Sequence, residues 1–200
     1  IHPVEMNLQK TSAVFRLVLS NIIVASLLTA CVPHLLTTDI NLQPGDTTAR
    51  LRIRFAGDGA LSVVQFAPSK CYAYSDRAVR SLTTINKGEH TLIDLSLIST
   101  SKLGMPNDLD GVPKNSYEEI LVKAGKPLDF GVSWFGGDQF VTYRGNGIGE
   151  FVPETGKDYE LKVVVAPGMP MHLLVEELQV SDGNIVRVPV TMNKVHLCGT

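Results

Sequence analysis

The 200 residues contain no Cys-x-x-Cys pair, no Gly-x-Ser-x-Gly elbow, no His-Glu-x-x-His and no phosphate-binding glycine loop. Each missing pattern removes a chemistry. Without closely spaced thiols there is no thioredoxin-like redox centre and no zinc ribbon. Without the other three, the common hydrolase, metalloprotease and nucleotide-binding sites have no counterpart in the chain. Aromatic residues are few, at 6 % with a single Trp. Excess positive charge is missing too: the formal net charge is −2, which argues against a nucleic-acid partner, since such proteins carry a basic footprint. No heptad or solenoid repeat is visible, and no amphipathic helix follows residue 30.

What is present begins with one apolar run. Lys10 and Arg16 precede an uncharged stretch, mostly Leu, Ile, Val and Ala, from Leu17 to Leu28. That is the order of a secretory signal, a positive flank followed by an apolar core. Twelve helical residues rise about 18 Å, short of the roughly 30 Å hydrocarbon layer, so the run inserts without spanning. It ends in Leu28-Thr29-Ala30-Cys31.

This ending resembles the lipobox of bacterial lipoproteins. The resemblance covers residues 6–31, with Met6 as the expected initiator and residues 1–5 as upstream sequence or an alternative start. It implies cleavage before Cys31, acylation of its thiol, and attachment to a membrane through N-terminal acyl chains, each buried methylene adding about 0.8 kcal/mol. An Asp after that cysteine marks inner-membrane retention in many diderm bacteria; here Val32 follows, which implies the outer membrane. The expected division is then a signal peptide at 6–30, a lipidated tether at 31–46 and one domain at 47–200. The part after residue 30 carries 16 basic and 19 acidic residues, a net charge of −3.

With Cys31 assigned to lipid, Cys71 and Cys198 remain as an even pair in an oxidising compartment, and a disulfide between them is expected. The competing readings are a buried Cys71 with a frayed Cys198, or a reactive thiol.

The domain reads as all-β. Ala49, Leu51, Ile53 and Phe55 alternate with Arg50, Arg52 and Arg54, the pattern of a half-buried strand. Further strands are expected over 61–66, 91–97, 119–122, 128–134, 140–144, 159–165, 171–180 and 185–190, separated by turns at Gly57-Asp58-Gly59, Gly125-Lys126-Pro127, Gly156-Lys157-Asp158 and Ser181-Asp182-Gly183-Asn184. Residues 57–59 are expected to join a first hairpin, and 181–184 a last one. Eight or nine short strands with turn residues between them predict an antiparallel β-sandwich of immunoglobulin-like or related topology; an eight-stranded barrel is the alternative. The domain is similar in kind to small β-sandwich lipoproteins of bacterial envelopes.

Candidate binding residues are few. The arginine face of Arg50, Arg52 and Arg54 suits an anionic glycan, a lipid headgroup or an acidic partner, or is a solvated or charge-guarded strand. Trp134, Phe135, Phe140 and Tyr143 surround a Gly-Gly-Asp turn; Trp134 and Phe140 are assigned to one face, Phe135 and Tyr143 to the other, where they could form a sugar-stacking platform. Metal binding is not expected. His172 and His196 alone make an incomplete site, and Asn107-Asp108-Leu109-Asp110-Gly111 lacks the later bidentate Glu of a calcium loop. Adjacent carboxylates such as Glu118 with Glu119, or Glu176 with Glu177, point to opposite faces of a strand. No cofactor and no catalytic residue is expected. The chain therefore reads as a lipid-anchored, non-catalytic binding or assembly module whose partner is an envelope protein or a glycan; the alternative is a carbohydrate- or small-ligand-binding protein using the Trp134 to Tyr143 region.

Overall fold

A computed structural model describes residues 42–67, 69, 71–72, 80–87, 101–137, 140–166, 168–193, 195 and 198. The signal segment, Cys31, the expected strand over 91–97, and His34, His90 and His196 lie outside the described residues.

Nine strands are described: β1 (Thr48–Ala56), β2 (Gly59–Gln65), β3 (Arg80–Lys87), β4 (Tyr117–Lys123), β5 (Leu128–Gly137), β6 (Thr142–Phe151), β7 (Asp158–Val164), β8 (His172–Ser181) and β9 (Asn184–Pro189). They form a five-stranded sheet in the order β4-β1-β7-β8-β9, called sheet A, and a four-stranded sheet in the order β3-β2-β5-β6, called sheet B. The result is the expected all-β sandwich. Every pairing is antiparallel except β1 with β7, which is parallel.

The alternating residues of β1 and β7 build one wall of the core. Leu51, Ile53, Phe55, Tyr159, Leu161 and Val163 are all buried, facing Leu61, Val63, Leu128, Phe130, Val132 and Trp134 of sheet B. Removing each such side chain from water contributes about 1.5 to 3 kcal/mol, which is why period-two alternation here decides the fold. The Trp134 indole is accommodated because its Nε1 donates to the Asp58 carbonyl at 2.8 Å.

One expectation about a connection is corrected. Gly57-Asp58-Gly59 does not close a hairpin: it carries the chain from β1 in sheet A to β2 in sheet B. A side chain at Gly57 would collide with Val165, and Gly59 adopts φ +102° against the Phe135 carbonyl, so this crossing needs both glycines. The cluster Gly145, Gly147 and Gly149 is strand, the inward positions of β6, and it brings sheet B close to Met171, Leu173 and Met192. The final hairpin is as expected. Asp182 and Gly183 both have positive φ, at 53° and 77°, which is the two-residue turn that matches strand twist.

The expected disulfide is formed between Cys71 and Cys198, across 127 residues of sequence.

Candidate functional site

The arginine face is not an open surface: Arg52 is buried, and Arg50 and Arg54 are only partly exposed. β1 is an interior strand of sheet A, and the segment 101–113 lies over its outer side, burying Met105 and Leu109. Arg52 is 1 % exposed. In register, Glu119 of β4, Arg52 of β1, Glu160 of β7 and Glu176 of β8 form one rung. Arg52 donates to Glu119 Oε1 at 2.9 and 3.2 Å, to Glu160 Oε2 at 3.5 Å and to the Pro106 carbonyl at 2.7 Å. Arg187 of β9 closes the rung, donating to Glu176 at 2.8 Å, Glu160 at 3.0 Å and Asp108 at 2.6 Å. Arg50 clamps Asp158 with two bonds of 2.5 and 2.6 Å, and Arg54 lies 3.6 Å from Glu160.

Electrostatics follow from this pairing. Burial alone would lift the Glu119 carboxyl, but Arg52 and the backbone N–H groups of Leu103 and Met105 outweigh it and hold the group below its ordinary value. Burial likewise opposes the charge of Arg187, and Glu160, Glu176 and Asp108 together push its pKa up instead. The three arginines singled out in the sequence are therefore occupied, and a ligand reading for them is withdrawn. Asp108 of the calcium-like loop is committed to Arg52 and Arg187 as well.

The aromatic platform also changes. Phe135 stands opposite Arg144, whereas Tyr143 stands opposite Gly136, so Tyr143 shares the inward face of Trp134 and packs against the core. Phe135 and Tyr143 lie on opposite faces of sheet B. Phe135 is outward and 51 % exposed, with the Arg144 guanidinium over its ring at 5.5 Å from the centroid. Phe140 is exposed at the β5–β6 turn.

Around Phe135 the strands align two rows that the sequence did not reveal. Thr84, Ser62, Ser133 and Asn146 stand side by side across β3, β2, β5 and β6. Beside them run Asn86, Ala60, Phe135 and Arg144. None of the eight is buried, and neither row holds a carboxylate. Arg144 has no ion-pair partner among the described residues.

Farther along the same face the character reverses. Asp129 and Glu150 are directly opposed across β5 and β6, beneath Phe66 and Tyr72. Asp129 is 2 % exposed, and its Oδ1 has no hydrogen-bond partner among the described residues. Burial first, and then the neighbouring Glu150 carboxyl, push the Asp129 carboxyl up to about 6, against the opposing Tyr72 hydroxyl. Asn193 donates to Glu150 Oε1 at 2.6 Å, and the Cys198 N–H donates to the Tyr72 carbonyl at 3.0 Å. The disulfide thus joins the two segments that cover the carboxyl pair.

Among the described residues no three His, Cys, Asp or Glu side chains converge as a metal site. Comparison of the chain with family models, with curated proteins and with solved structures finds no match.

Proposed function

We propose that the chain is a lipid-anchored lipoprotein of a bacterial cell envelope, held at the outer membrane through Cys31 and facing the periplasm, and that its sandwich acts as a non-catalytic binding or assembly module. The lipobox-like ending Leu28-Thr29-Ala30-Cys31 supports the anchor, and the Cys71–Cys198 disulfide suits an oxidising compartment. The module reading rests on one contrast. Around β1 the outer face of sheet A is taken up by ion pairs and the 101–113 segment, while the Thr84-to-Asn146 and Asn86-to-Arg144 rows of sheet B face solvent. Carboxylates locked to arginines, as Glu119 and Glu160 are, serve structure and are not free to move protons.

The anchor is tested by Cys31→Ser in cells. The variant should leave the membrane fraction and migrate without acyl chains; full membrane retention with unchanged mobility would reject the anchor. The module is tested in that soluble variant by adding Phe135→Ala, which should abolish its association with envelope material. Association that survives the change would place binding elsewhere.

A further inference from the structure

We propose that the outer face of sheet B binds an acidic polysaccharide, with Phe135 stacked on a sugar ring and Arg144 taking a sugar carboxylate. The inference rests on the binding-module reading and names the ligand class for that same face.

Spacing comes first. Adjacent strands lie about 4.8 Å apart, so the row Thr84, Ser62, Ser133, Asn146 extends roughly 14 Å across three inter-strand gaps. It is a line of three hydroxyls and one amide, all able to donate and accept. Sugar hydroxyls make both demands at once, so a row of this kind satisfies them without charge. The row sits on four paired strands, and the ligand therefore meets groups already fixed in position.

The second row supplies what hydroxyls cannot. Phe135 is the one large aromatic ring among the eight positions, and its exposed face suits the apolar C–H side of a pyranose. Arg144 is held over that ring by a cation–π contact, which orders the guanidinium before any ligand arrives. Its planar N–H fork matches a carboxylate in two parallel bonds. With no Asp or Glu in either row, an acidic sugar meets attraction from Arg144 and no opposing charge within them.

Other partners fit less well. A protein interface is built around a cluster of aromatic and aliphatic anchors, and these two rows offer a single large one. A nucleic acid would need several cations to displace its counterions, and the rows hold one.

The full chain in detergent can be run in native gels cast with polygalacturonate or with neutral dextran, and titrated with a galacturonate hexasaccharide at low salt. Retardation by polygalacturonate alone is expected. Phe135→Ala and Arg144→Gln should each weaken hexasaccharide binding about tenfold or more, with thermal stability unchanged because both side chains are exposed. Arg144→Lys should recover only part of the loss, as a point charge replaces a planar fork. Equal retardation by dextran overturns the acidic class, and unaltered binding in both variants removes the site from this face. If no glycan binds while Phe135→Ala still abolishes association with an envelope protein, the glycan inference fails and the binding module stands.

Discussion

Arg50 and Arg52 are two residues apart on one strand face, and their environments differ by more than their spacing suggests. Arg50 retains contact with water, with 37 % of its side chain exposed, and shares Asp158 alone among carboxylates. Arg52 is enclosed by Glu119, Glu160 and Asp108. A buried ion that loses its partner is costly, because the remaining charge has neither counter-ion nor solvent. Arg52→Met should therefore destabilise the fold by about 3 to 5 kcal/mol. Arg50→Met should cost less, about 1 to 3 kcal/mol, because it leaves the buried Asp158 carboxylate unpaired at a site that water reaches beside Arg50. Urea unfolding of the two variants checks this, and equal losses would mean that the rung is not a buried unit.

At the scale of elements, β6 turns on its glycines. A Cβ at Gly149 would lie 2.5 Å from Cζ of the fully buried Phe130 ring. At Gly145 the nearest atom would be Trp134 Cε3 at 3.4 Å, an ordinary contact. Gly149→Ala should destabilise by about 1 to 3 kcal/mol through overpacking. Gly145→Ala should be near neutral, since the added methyl finds contact and the unfolded chain loses freedom. Thermal unfolding should separate the two clearly. The strand β3 shows a different lesson. Its buried residues Leu82 and Ile85 are three apart because a bulge opposite Val63 and Val64 inserts one residue, so a search for strict alternation passes over it. Strands β1, β5 and β7 keep unbroken inward positions and were legible.

For the whole molecule, two sets of carboxylates set stability against pH, and they act in opposite directions. Glu119 has a lowered pKa when folded, so its contribution is present above its ordinary value and is lost as the pH falls through the folded one. Asp129 is raised from 3.8 to about 6, so its stability is full below 3.8 and is lost as the pH rises toward 6. Asp129→Asn should flatten that second limb. The variant should gain about 1 to 2 kcal/mol at pH 7.5, after allowance for solvent screening at half-buried Glu150, and nothing near pH 4. Denaturant titrations at the two pH values decide it; a gain of equal size at both would show that Asp129 is not the titrating group.

The architecture and the Cys71–Cys198 bridge could be read from residue patterns, because alternation and cysteine count are local or additive signals. The candidate site could not. The groups that enclose Arg52 lie 56 to 108 residues away along the chain, and Tyr143 takes the face opposite to the expected one because its side is set by the β5–β6 register, which local alternation does not carry. Thr84, Ser62, Ser133 and Asn146 have no sequence proximity at all; only strand order makes them neighbours.

That strand order separates two properties that many proteins must trade against each other. The outward positions of β2, β3, β5 and β6 in these rows share their strands with core residues but lie outside the core cluster. New side chains could be written into positions 62, 84, 133 and 146 while Leu61, Val63, Val132 and Trp134 continue to hold the sandwich. The chain thus offers a ready scaffold for altered recognition, with its folding free energy stored on the other side of the same strands.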